Sequence, residues 1–132
     1  MHAFLRSFGY AFAGLVYAIR TQRNLRVHLA IAALVILAGL ILQVAAVEWA
    51  VLLLTIGFVI SAELVNTVAE LAVDLLTQEY HPMAKVAKDV GAAAVVVAAL
   101  AAVGVGVAIF GPRLWQILRD VTCQALCKMP GT

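Results

Sequence analysis

Charge is what this chain has least of. Only 12% of its 132 residues are charged and 65% are hydrophobic, whereas a soluble domain of that length carries far more polar surface. No acidic residue occurs before Glu48. Cysteine is confined to Cys123 and Cys127; two thiols do not complete a structural zinc site, and a bridge between positions four apart would strain a helix. They read as free thiols or as an intermolecular bond, and no function is assigned to them. Pro82 and the Gly111-Pro112 pair are the places where helices are expected to stop. The first apolar stretch, Phe8 to Ala18, lacks both a charged segment ahead of it and a cleavage site, so no cleavable signal peptide is expected. There is no internal repeat. There is also no G-x-x-x-x-G-K-[ST] loop and no protein-kinase signature set, which excludes the common nucleotide-binding chemistries built on them.

Apolar runs are what the chain has most of. Three windows reach the length of about 20 residues that a bilayer crossing needs: Leu29 to Val47, Trp49 onward to residue 76, and Gly91 to Phe110. The reading is a single all-α integral membrane domain, residues 1–132, with membrane helices over 29–47, 49–76 and 91–110 and a C-terminal tail over 112–132. Three helices bury little surface, and these are rich in the small residues that let membrane helices approach, so a homo-oligomer is expected. Arg6, Arg20, Arg23, Arg26, Lys85 and Lys88 fall on one side of the spans, and Arg113, Arg119 and Lys128 on the other. The positive-inside rule then puts the N-terminus and the 77–90 loop in the cytoplasm of a multi-pass membrane protein.

Phe4, Phe8, Phe12, Leu15 and Ile19 form one helical stripe. That pattern predicts an amphipathic helix over 3–22, lying in the cytoplasmic interface. "RTQRNLRVH" (20–28) is a polar hinge, and "TQEYHP" (77–82) ends the second span. A short basic helix over 83–89 is expected ahead of the third span. Trp49, Tyr80 and Trp115 fall near span ends, where amphipathic rings prefer to sit. In the tail, Leu114, Ile117, Leu118, Val121 and Leu126 make a weaker stripe that is expected to rest on the outer membrane face.

The informative stretch is "SAELVNTVAEL", residues 61–71, followed by Asp74. At about 3.6 residues per turn, Glu63, Asn66, Thr67, Glu70 and Asp74 share a wedge of roughly 100°. Leu64, Val65, Val68, Leu71 and Val73 lie on the opposite face. Polar groups at membrane depth are costly and normally face a protein interior or a wet cavity. Counting inward from Trp49 at about 1.5 Å per residue places Glu63 roughly 21 Å deep in a core of about 30 Å. It therefore sits just under the cytoplasmic headgroups, with Glu70 at their level. A desolvated carboxylate there suits proton acceptance, and one at the headgroups suits a divalent ion. Lys85, Lys88 and Asp89 add the charge a phosphate-bearing substrate needs. The plainer readings are that Glu79 and Lys85 are solvated span-end residues, that Asp74 pairs with Lys85, and that the Glu63–Asn66–Glu70 set is polar glue between helices.

"AELVNTVAELAVDL" (62–75), "AKVAKDVGAAAV" (84–95) and the "RNLRVH" segment together resemble the prokaryotic diacylglycerol kinase/undecaprenol kinase family. The likeness runs from about Phe8 to Phe110. It implies small three-span membrane lipid kinases, acting as homotrimers with sites shared between subunits, which move the γ-phosphoryl group of ATP to a membrane lipid alcohol with Mg2+. By motif, the resemblance makes Glu63 the catalytic base, Asn66 its neighbour in the catalytic site, and Glu70 a metal ligand. It makes Lys88, Asp89 and His81 nucleotide-binding residues. Where many members carry a glutamate before "RN", this chain has Gln22, which implies a metal site with an uncharged ligand.

The resemblance leaves two acceptors. Ala92 stands where the diacylglycerol branch tends to carry serine, and the RNxRxH pattern looks like the undecaprenol branch. Undecaprenol is therefore preferred, with diacylglycerol as the alternative. No nucleic-acid partner is expected. Readings from other classes are a proton or ion pathway through Glu63, and a catalytically silent membrane partner, which Gln22 would suit.

Overall fold

The computed structural model describes residues 2–77 and 79–127, with side chains from 6 to 124 apart from position 78. The described residues form four α-helices and no strand: α1 (His2–Thr21), α2 (Arg23–Ile41), α3 (Ala46–Leu76) and α4 (Pro82–Cys127). By length and composition α2, α3 and α4 can each cross a membrane. Outward-facing Leu54, Val68, Leu100 and Val107 are exposed, as the lipid-facing positions of such helices are.

α1 contacts α2 and buries Ala18 while leaving Phe8 and Phe12 exposed. Gln22 stands between them in extended conformation as the residue ahead of α2. α2 begins at Arg23, six residues before the expected apolar window, and stops at Ile41. What ends it is a left-handed turn at Gln43, φ 49°. Gln43 N–H donates to Leu40 O (3.4 Å) and Val44 N–H to Gly39 O (3.2 Å), the bond pair of a Schellman ending. Residues 42–45 are thus a turn rather than the last turn of a span. Val44 is buried just beyond it against Leu52 and Ile109. α3 starts immediately after, with Glu48 Oε2 accepting the Ala45 N–H (2.6 Å). The Trp49 ring lies close against α2 at Gly39, where a Cβ would come within 2.8 Å of it.

The main joint is between α3 and α4. Buried or half-buried on α3 are Leu52, Ile56, Val59, Glu63, Asn66 and Glu70, and on α4 Gly91, Val95, Ala98, Ala102, Val105 and Ile109. Both series step by alternating threes and fours, the spacing that keeps one seam facing a partner helix. The α3 seam is apolar toward the α2–α3 turn and polar toward the α3–α4 loop. One ion pair closes each end: Arg113 to Glu48 at the turn end, Lys88 to Asp74 at the loop end.

α4 corrects two expectations. There is no separate 83–89 helix, because Pro82 is the first residue of a continuous helix, where its missing N–H is no loss. The first bond comes one turn later, from Lys85 N–H to His81 O (3.1 Å). Nor does the helix stop at Gly111-Pro112; it runs 46 residues to Cys127, roughly 69 Å at 1.5 Å per residue. Pro112 removes a single backbone bond. The next residue, Arg113, donates Nη1 to Ile109 O (2.8 Å) and grips Glu48 with both arms (2.9 and 2.6 Å). That bidentate grip holds α4 against α3 across the proline. Beyond it Leu114, Ile117, Leu118 and Val121 are exposed, as is the free thiol of Cys123. Lys128 and the Cys127 side chain lie outside the described residues.

Candidate active site

Helical periodicity puts Glu63, Asn66, Thr67 and Glu70 on the face of α3 that turns toward α4, and burial follows. Glu63 is 2% exposed, Thr67 4% and Asn66 6%, while Glu70 is half-buried. Thr67 Oγ1 donates to Glu63 O (2.9 Å), which satisfies the hydroxyl within the helix. Asn66 Nδ2 donates to Glu70 Oε1 (3.0 Å), tying the amide to the carboxylate one turn on. Two buried oxygens are left over: Glu63 Oε2 and Asn66 Oδ1 have no hydrogen-bond partner. Buried polar atoms are nearly always paired, so two orphans on one seam stand out.

Gly91 makes the site possible from the α4 side. A Cβ there would collide with Asn66 Oδ1, so the bare backbone gives the amide its room. His28 of α2 is half-buried and lines the space between α2, α3 and α4. Sequence reasoning passed over both residues. The only signal for Gly91 was a glycine inside an apolar helical run; for His28 it was a titratable group ending the "RNLRVH" segment.

At the loop end of the same joint is a polar groove of about 560 Å³, lined by Asp74, Thr77, Glu79, Tyr80, His81, Lys85, Lys88 and Asp89 among others. It brings His81, Lys88 and Asp89 together. Lys88 Nζ meets Asp74 Oδ1 at 2.5 Å and Lys85 Nζ meets Asp89 Oδ2 at 2.6 Å. The pairing of Asp74 is therefore with Lys88 and not with Lys85, because Lys88 is the lysine on the α3 side of α4. Gln22 stays at the α1–α2 junction; among the described residues no hydrogen bond links its amide to Glu70. No cluster of three or more His, Cys, Asp or Glu side chains suited to a metal occurs among the described residues.

The buried amide and acid lie about two and three helical turns along α3 from the lysine-lined groove, on the same α3–α4 joint. The family model for prokaryotic diacylglycerol kinase matches residues 9–110. The chain belongs to that family. An undecaprenol kinase of Bacillus subtilis (strain 168) is 40% identical over 114 residues, which cover 86% of this chain and 93% of the relative. A diacylglycerol kinase of Synechocystis is 47% identical over 115 residues, covering 86% of this chain and 66% of that protein. A diacylglycerol kinase of Pseudomonas aeruginosa is 33% identical over 94 residues, covering 71% and 76%. Both names describe lipid kinases, and the two acceptors they specify stand side by side. The family match takes in Gln22, His28, the α3 seam and the loop-end groove, and it stops before Pro112 and the last turns of α4.

Proposed function

We propose that the chain is an ATP-dependent lipid kinase whose acceptor is undecaprenol, giving undecaprenyl phosphate. The observation that carries the reading is the buried pair of unpartnered oxygens, Glu63 Oε2 and Asn66 Oδ1, on the same α3–α4 joint as the lysine-lined groove. Glu63 takes the proton of the lipid hydroxyl as that oxygen bonds to the γ-phosphorus. The bond from phosphorus to the β–γ bridging oxygen breaks, and ADP leaves. Asn66 is held by Glu70, with its free oxygen in the space that Gly91 leaves open. Lys88, with Asp89 and His81, receives the nucleotide; the phosphates compete with Asp74 for the Lys88 ammonium. Phosphoryl transfer asks mainly for positioning and charge stabilisation, so this small set is chemically sufficient.

No ready-made metal cluster occurs among the described residues, so magnesium would draw on one carboxylate and the substrate's phosphates. Glu70 would hold the ion, with Gln22 contributing an uncharged amide oxygen, and the ion would neutralise phosphate charge. Mg2+ keeps several waters and binds through one or two carboxylates plus substrate phosphates, so a protein-only cage is not required. The chain is read as a homotrimer with composite sites between subunits. α1 lies in the interface of the bacterial inner membrane, and the N-terminus and the 77–90 loop are cytoplasmic.

Ala92 and the RNLRVH pattern support undecaprenol; the 47% identity to a diacylglycerol kinase favours diacylglycerol as the second acceptor. Purified protein with γ-labelled ATP, magnesium and each lipid alcohol in turn tests the reading, with Glu63→Gln as the blank. Label in undecaprenyl phosphate that disappears in the variant supports it. Label chiefly in phosphatidic acid reverses the acceptor. No label in either lipid from an intact oligomer returns weight to a silent partner, and conductance without ATP to an ion pathway.

A further inference from the structure

The phosphoryl chemistry leaves unused an apolar groove where α2, α3 and α4 meet. It encloses about 260 Å³, with His28 on α2, Val59 and Ile60 on α3, and Ala102, Gly106 and Phe110 on α4 among its walls. Its polar wall groups are few. Thr55 already donates its hydroxyl to Val51 O (2.7 Å), which leaves His28 at one end. That end lies one helical turn from Glu63, since Val59 and Glu63 are successive seam positions of α3. From there the groove runs along the helices to Phe110, a span of roughly 10–16 Å at 1.5 Å per residue.

Gly106 supplies the second observation. A Cβ at Gly39 or Gly91 would strike Trp49 or Asn66, but a Cβ at Gly106 meets nothing within 4 Å. No close backbone approach calls for glycine at 106, and glycine weakens a helix interior relative to alanine. What the missing side chain leaves is open space in the groove wall.

We propose that this groove holds the hydroxyl-proximal part of the hydrocarbon chain of the lipid alcohol, and that Gly106 sets its width. The proposal rests on the lipid-kinase reading above. A polar ligand would find no partners along these walls. A helix of a second copy, about 10 Å across with its side chains, would need several times this volume over the same length. A single hydrocarbon chain suits both the lining and the size, and its hydroxyl end lies at the His28 end of the groove, one helical turn along α3 from Glu63.

The test uses the full chain in lipid nanodiscs, with undecaprenol and a one-isoprene alcohol bearing the same hydroxyl as acceptors. Gly106→Leu should raise KM for undecaprenol about tenfold, the scale on which pocket methylenes discriminate, with kcat changed less than about twofold and the short alcohol unaffected. Ala102→Val, a smaller change in the same wall, should act in the same direction. Val107→Leu, on the exposed face, should do nothing. Thermal unfolding checks that all three are folded. Unchanged KM in both groove variants overturns the proposal. A second readout is independent of activity: photolabelling with an undecaprenol carrying a diazirine in its first isoprene units. Label within 99–110, displaced by unlabelled undecaprenol and reduced in Gly106→Leu, supports the groove. Label spread over exposed positions and not displaced overturns it. Displaceable label in a protein that phosphorylates no lipid would sink the kinase reading and leave the groove standing.

Discussion

Replacing Gly91 with alanine perturbs the site through one methyl group. The new Cβ would occupy the space of Asn66 Oδ1 and sit 3.9 Å from the Ala69 methyl. Asn66 can yield only by turning its amide, which breaks the 3.0 Å bond from Nδ2 to Glu70. A hydrogen bond to a charged group contributes about 1.5–3 kcal/mol. Alanine returns about 1 kcal/mol of helix propensity, so the net loss of stability is about 0.5–2 kcal/mol. Catalysis should suffer more. A group displaced by an ångström from its reacting position costs about 100-fold, and Asn66 and Glu70 would both move. Gly91→Ala should therefore fold, melt slightly lower in detergent, and lose about 100-fold in kcat/KM for ATP-dependent lipid phosphorylation. Combining it with Asn66→Ala should cost little beyond Asn66→Ala alone, because the clash vanishes with the side chain. A Gly91→Ala enzyme with wild-type kcat/KM and an unchanged melting curve would refute the reasoning.

Other consequences can be checked on the same preparations. Gln43→Gly should raise stability by roughly 0.5–1 kcal/mol, because the left-handed φ of 49° is one that glycine adopts freely; thermal unfolding reads it, and a loss of stability would contradict the turn. Arg113→Ala and Glu48→Gln should each lower the unfolding midpoint, and the double variant should be no worse than the worse single, since they break one bidentate contact. Arg113→Lys should recover only part of the loss, a lysine being unable to grip both carboxylate oxygens and Ile109 O at once. Gln22→Glu should lower the magnesium concentration for half-maximal rate; an identical magnesium titration would remove Gln22 from the metal site.

What the sequence made legible was whatever depends on local periodicity. The three spans followed from apolar length, and the shared face of Glu63, Asn66 and Thr67 from helical spacing; the structure buries that face. Misreadings came where a punctuating residue was outvoted by tertiary contact. Gly111-Pro112 looked like a stop, but the lost bond is a single one and Arg113 clamps the helix to Glu48, 65 positions away. The opposite happened at residues 42–45, where an unbroken apolar run concealed a turn whose only left-handed residue is a glutamine. Asp74 chose Lys88 over Lys85 because the rotation of α4 on α3 decides which lysine faces it, and one helix alone does not fix that rotation. Gly91 and His28 were invisible for the same reason: one makes room for Asn66 of α3, and the other lines a groove shared with α3 and α4.

The most direct measurement is the transfer of label from γ-labelled ATP to undecaprenol by the purified wild-type chain and by Glu63→Gln, side by side in the same lipid. The account predicts labelled undecaprenyl phosphate from the wild type and essentially none from a folded Glu63→Gln. Equal labelling by the two proteins would contradict it, because the buried, unpartnered carboxylate of Glu63 would then have no part in the chemistry.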